Sequence, residues 1–176
     1  MIWLSNSTLQ RLRDQLRERG ARPSVVFSGA ATAEAAEAAA IEAEYGALTE
    51  AMYLMMSADG HVTDDEREVL KGALRALSSD TVRSAHIEVL LDAAARQLAE
   101  HGRPARMADV IAQLHDDPAR AEVAFVLAAA IAFADSAIAD QENDTLNELA
   151  EGLGIDEGRA STLLDGVEAD LAANRK

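Results

Sequence analysis

Two nine-residue segments carry the carboxylates best placed to do chemistry, Ala58-Asp59-Gly60-His61-Val62-Thr63-Asp64-Asp65-Glu66 and Ala134-Asp135-Ser136-Ala137-Ile138-Ala139-Asp140-Gln141-Glu142. Matched positions stand 76 residues apart, so Asp59 pairs with Asp135, Asp64 with Asp140 and Glu66 with Glu142. The same offset pairs Val62 with Ile138, Leu70 with Leu146 and Leu77 with Leu153. A repeat that keeps three acids and its apolar frame implies two copies of one helix-loop-helix unit. If pseudo-symmetry brings the loops together, Asp59, Glu66, Asp135 and Glu142 make four convergent carboxylates, which suit a hard or borderline divalent cation.

A structural reading competes at each acid. Asp59 and Asp135 fall at predicted helix C-termini, where the macrodipole disfavours negative charge by ~0.3–1 kcal/mol, and a bound cation or a nearby arginine relieves that. Glu66 and Glu142 fall in first turns, where the dipole favours them. Thr63 stands three residues before Glu66, a capping-box spacing. Ala139 holds the equivalent place before Glu142 and cannot complete a box. An EF-hand does not fit, because its first two ligand positions would be Met55 and Ser57, and Ile131 and Phe133 in the second copy. His61 reads as an exposed loop residue, its counterpart being Ala137. His86, His101 and His115 lack the i, i+4 spacing of a helical metal pair. No serine has nucleophile-elbow glycines around it, and no phosphate-binding loop occurs.

Composition narrows the classes further. The 176 residues hold 16 basic and 31 acidic side chains, a formal charge of −15, and a field of that sign repels phosphate backbones. Nucleic-acid binding by the body is therefore not expected. Cysteine is absent, which removes disulfides, thiolate nucleophiles and Cys-type zinc sites. The longest apolar run, Val123 to Ala134, falls short of the ~20 residues that span a bilayer, and Met1 to Leu4 is too short for a signal peptide. A cytoplasmic protein is the expectation.

The elements that must position the motifs are all helical. Aromatics are only 3 % of the chain and alanine is abundant, a composition for closely packed helices. Ser7 can cap a helix to about Arg19 with Leu9, Leu12 and Leu16 on one stripe. Residues 1–22 carry net charge +3 against −18 in the remainder, and residues 23–32 read as a linker. The third segment, residues 33–176, holds the helical domain. Ile41, Tyr45, Leu48, Met52 and Met55 recur at four and three, so they share one buried face of a long helix that starts near Thr32 and stops at Asp59-Gly60. Thr63 opens the next helix, and Ser79 or Asp80 caps another through about Ala99. A shorter helix follows Pro104. Pro118 begins one whose Val123 to Ala134 stretch has no polar face and should lie centrally beside the helix that ends at Asp59. One helix runs from about Asp140 to Leu153, where Gly152 and Gly154 end it, and Asp156 caps the last.

Two copies of Ala-Asp-Gly-x-(Val/Ile)-x-x-x-Glu, each ending an apolar helix and opening a charged one, resemble the TerB-like tellurite-resistance domain. Ala150-Glu151-Gly152-Leu153-Gly154-Ile155 also fits. The resemblance covers about residues 33–172, departing from the pattern at Ser136, where a second glycine is usual. It implies a compact all-α bundle of about seven helices with an internal pseudo-twofold repeat, to which the N-terminal amphipathic helix is added. It further implies a non-enzymatic role in tellurite resistance and stress response, with acidic metal-binding surfaces and protein partners that include membrane-bound ones. A ligand-free helical adaptor is the alternative. A metal-dependent hydrolase is the third class, against which stands the lack of paired histidines or an identifiable base. The N-terminal helix either docks its leucine stripe on the acidic body or, through Ile2, Trp3, Leu4 and the arginines, contacts a membrane surface peripherally.

Overall fold

A computed structural model describes residues 4–18, 30–60, 62–133 and 140–174. Among them are eight helices and no strand: α1 Asn6–Glu18, α2 Ala30–Met56, α3 Asp64–Leu77, α4 Ser84–His101, α5 Arg103–Leu114, α6 Pro118–Ala132, α7 Asp140–Gly152 and α8 Glu157–Asn174. Of the linker expected at 23–32, residues 23–29 lie outside the described residues and residues 30–32 are helical, because α2 begins at Ala30, two residues before Thr32.

The centre of the bundle is α6. Every residue from Val123 to Ala132 is buried, as a helix without a polar face requires. Its most extensive packing is against α2, whose Ile41, Tyr45, Leu48, Met52 and Met55 are all buried. The helix that leads to Asp59 and the helix that leads toward Asp135 therefore lie side by side. Around this pair α4 and α5 cover α2, while α1, α7 and α8 cover α6.

The N-terminal helix docks on the body. Its Leu9, Leu12 and Leu16, with Leu4 ahead of them, are buried against α6 and α3. Ser5 caps it in place of Ser7: the Thr8 amide donates to Ser5 Oγ at 3.1 Å and the Leu9 amide to the Ser5 carbonyl. Ser7 lies inside the first turn, where its hydroxyl shares a 2.8 Å hydrogen bond with Ser5 Oγ. The Ser5 amide in turn reaches Asp170 on α8 at 3.2 Å.

A second correction concerns Ser79 and Asp80, which end α3 and do not cap α4. The Asp80 amide donates to the Arg75 carbonyl and the Ser79 amide to the Ala76 carbonyl, the paired bonds of a Schellman motif. Both residues take positive φ, 53° and 57°, a conformation usually left to glycine. Helix α4 then starts after Arg83 with no side-chain cap. The same motif ends α7 conventionally: Gly154, at φ 70°, donates to Glu151 and Ile155 donates to Ala150. Gly152 has a separate purpose, since a Cβ there would collide with Ile111 of α5. Asp117 and Asp156 cap α6 and α8 by accepting from the Arg120 and Arg159 amides.

Candidate functional site

The first motif is built as its residue types dictate. Helix α2 stops at Met56, and the Ser57, Ala58 and Gly60 amides bond back to Tyr53, Met55 and Ser57. Gly60 takes φ 87°, which a side chain would strain, and leaves Asp59 exposed. Thr63 and Glu66 form the expected capping box, with the Thr63 amide and hydroxyl donating to Glu66 Oε2 at 2.7 and 2.8 Å and the Glu66 amide to Thr63 Oγ1 at 3.3 Å.

The second motif is described only from Asp140 onward. Asp135 lies outside the described residues, as does His61 of the first motif. Glu142 stands in the first turn of α7, partly buried. Among the described residues, no three His, Asp or Glu side chains are grouped so as to hold a metal ion. Asp59, Glu66 and Glu142 thus do not make a cation site by themselves, and a four-carboxylate arrangement turns on Asp135.

Arg103, which sequence reasoning passed over, ties the two motif-bearing regions together. It is the first residue of α5, and its Nη1 donates to the Leu54 carbonyl in the last turn of α2 at 2.6 Å. Its Nη2 donates to Thr145 Oγ1 on α7 in a short hydrogen bond. Thr145 is buried and donates onward to the Gln141 carbonyl at 2.7 Å, one residue from Glu142. One guanidinium therefore spans from the segment that enters the first loop to the helix that leaves the second. Burial pushes Arg103 below the ordinary arginine value, with Glu148 opposing, and the group remains a cation. A cation in a helix first turn opposes the macrodipole, and that misfit at Arg103, directly after Gly102, was the signal available in the sequence.

Neighbouring charges brace the same helices. Glu50 of α2 receives both arms of Arg106, Nε at 2.6 Å and Nη2 at 2.8 Å, and each side chain is only 11 % exposed. The hydrogen bonds that Arg106 donates to Glu50 raise its pKa above the ordinary value. Elsewhere, Lys71 on α3 bridges Glu68 and Glu88, and Arg67 reaches Glu88 and Asp92 on α4. A cleft of about 270 Å³ opens between the α5–α6 and α7–α8 turns, bordered by His115, Ala121, Glu122, Ile155 and Arg159. There the Arg159 fork grips Glu122 at 2.7 Å on each oxygen, holding its carboxyl below the usual glutamate range. His115 Nδ1 lies 3.0 Å from the Gly152 carbonyl, so this histidine serves the packing of α7 on α5.

Residues 46–163 match the protein family described as tellurite resistance protein TerB. The chain belongs to the TerB family. The TerB match begins inside α2 and ends inside α8, so it takes in both motifs, Arg103 and the whole of α6. No curated protein and no solved structure matches the chain significantly. No helix among the described residues is long and apolar enough to cross a membrane.

Proposed function

We propose that this TerB-family chain is a non-catalytic protein of tellurite resistance and stress response, which binds a divalent cation at the motif end of the bundle and engages a protein partner through its acidic surface. Asp59, Glu66, Asp135 and Glu142 are the ligands of this reading. The observation that carries it is the Arg103 bridge. Thr145 stands one turn after Glu142 on α7, and its guanidinium partner also holds the last turn of α2, so the regions that bear Asp59 and Glu142 share one end of the molecule. Carboxylates gathered at one end of a chain of formal charge −15 repel one another, and a divalent cation offsets that repulsion.

Titrating Mg²⁺, Ca²⁺, Mn²⁺ and Zn²⁺ while recording the melting temperature tests the reading. A specific ion stabilises by RT ln(1 + [L]/Kd), about 2.7 kcal/mol at a hundredfold excess over Kd. Replacing Asp59 and Asp135 with Asn removes the gain and leaves the fold intact. An unchanged melting temperature with all four ions overturns it.

The ligand-free adaptor is the second reading, and the Thr63–Glu66 box favours it. That box already engages one oxygen of Glu66 with two donors, so Glu66 has a structural task without any ion. The buried leucine stripe of α1 bears on the membrane alternative in the same way, because Leu9, Leu12 and Leu16 are spent on α3 and α6, and a membrane surface would meet the arginine face.

A further inference from the structure

The turn between α3 and α4 reads Arg75-Ala-Leu-Ser-Ser-Asp-Thr-Val-Arg-Ser84, rich in hydroxyls and arginine. Its backbone is self-sufficient, since the carbonyls of Leu74, Arg75 and Ala76 are paired with the amides of Ser78, Asp80 and Ser79. A cation arriving there finds those three carbonyls already bonded. Yet α1 directs two arginines to the turn. Arg13 Nη1 lies 2.6 Å and Arg17 Nη2 3.3 Å from the same atom, Ser79 Oγ.

Neither arginine pairs with a carboxylate among the described residues, in a chain with 31 acidic and 16 basic side chains. Arg67, Arg83, Arg106 and Arg159 all do. Two guanidiniums at i and i+4 repel, and converging on one neutral oxygen leaves that repulsion unrelieved. Ser79 Oγ accepts from both, and its own O–H meets no acceptor among the described residues. Arg75 adds a third cation to the turn, held by Ser84 Oγ at 2.8 Å. Two guanidiniums aimed at one hydroxyl, neither of them in salt-bridge reach of a carboxylate among the described residues although Asp80 stands next to Ser79 in the turn, are the complement of an oxyanion, and planar guanidinium forks match the oxygen spacing of phosphate.

We infer that Arg13, Arg17 and Ser79 form a phosphate clamp at the junction of α1 and α3, which takes inorganic phosphate or the phosphate end of a small monoester. The two arginines neutralise the dianion and Ser79 donates its hydroxyl proton to it as a hydrogen bond. Filling the clamp ties α1 more firmly to the end of α3, and because the arginine–phosphate attraction is between charges, rising salt screens it and weakens binding.

Titrating inorganic phosphate into the full chain at fixed ionic strength, with the arginine Nε–H and the Ser79 and Asp80 amide resonances recorded, tests the clamp. Saturable shifts concentrated at Arg13, Arg17, Ser79 and Asp80 are expected. Arg13→Gln and Arg17→Gln each weaken binding about tenfold, and Ser79→Ala weakens it severalfold. Unchanged Leu9 and Leu12 methyl resonances establish that α1 stays docked in each variant. Shifts spread evenly over the surface, no saturation, or equal binding by all three variants overturns the inference.

Discussion

Arg103 and Thr145 sit on α5 and α7, yet the guanidinium of one donates to the hydroxyl of the other while its second arm holds the Leu54 carbonyl of α2. Three helices thereby share one partly buried cation. Replacing Arg103 with Met removes one donor from the Leu54 carbonyl, which keeps the Ser57 hydroxyl at 3.2 Å, and the donor to the Thr145 hydroxyl, which still donates to Gln141, so the loss should be about 1–3 kcal/mol in all. In a double-mutant cycle with Thr145→Val, followed by urea denaturation, the two changes should fall short of additive by at least 0.5 kcal/mol. Strict additivity would show that the bridge carries no coupling.

Glu50 and Arg106 are both nearly enclosed and doubly hydrogen-bonded. Arg106→Ala strands the enclosed Glu50 carboxylate and should cost about 3–5 kcal/mol, whereas Glu50→Ala leaves Arg106 its 2.7 Å pair with Asp109 and should cost less. Replacing both with apolar residues of similar volume should recover most of the loss. A single substitution that leaves the denaturation midpoint in place contradicts this account.

Acid should loosen the α6–α8 contact. Glu122 is held below the ordinary glutamate range first by its hydrogen bonds from Arg159 and then by the charge there, against some burial. A group depressed in the folded state contributes stability that is full above its unfolded pKa, about 4.3 for glutamate, and is lost as pH falls through the folded value. Glu122→Gln should therefore flatten the acid limb of the stability-against-pH curve. Parallel acid limbs for the two proteins would remove Glu122 as a contributor.

The cap and the close approach give two local tests. Thr63→Ala breaks the capping box and should cost about 1 kcal/mol by thermal denaturation. Gly152→Ala drives a methyl into Ile111 and should cost about 1–3 kcal/mol, relieved in part when Ile111 is also shortened to Val, which removes Cδ1 and keeps Cγ1 close by.

The helices were legible in the sequence wherever one face repeated, as the stripe from Ile41 to Met55 and the capping box at Thr63 show. Chain reversal after α3 was not, because Ser79 and Asp80 are good N-cap types and their left-handed backbone is set by the Schellman bonds to Arg75 and Ala76. Ser5 displaced Ser7 for a related reason, since either hydroxyl has the chemistry and only the turn geometry chooses between them. At the candidate site, the acids could be named from the repeat, whereas the Arg103 bridge could not: a cation in a first turn marks the position, but its partners are a backbone carbonyl and a hydroxyl that no spacing rule connects to it.

From Val123 to Ala132 helix α6 has no face that meets water, and its neighbours α1, α2, α7 and α8 come from both ends of the chain. None of them can leave without baring part of it, so partial openings are penalised and the protein should unfold as a single cooperative unit. The amides of Val123 to Ala132 are then the last to exchange with solvent, and their exchange reports the stability of the whole molecule.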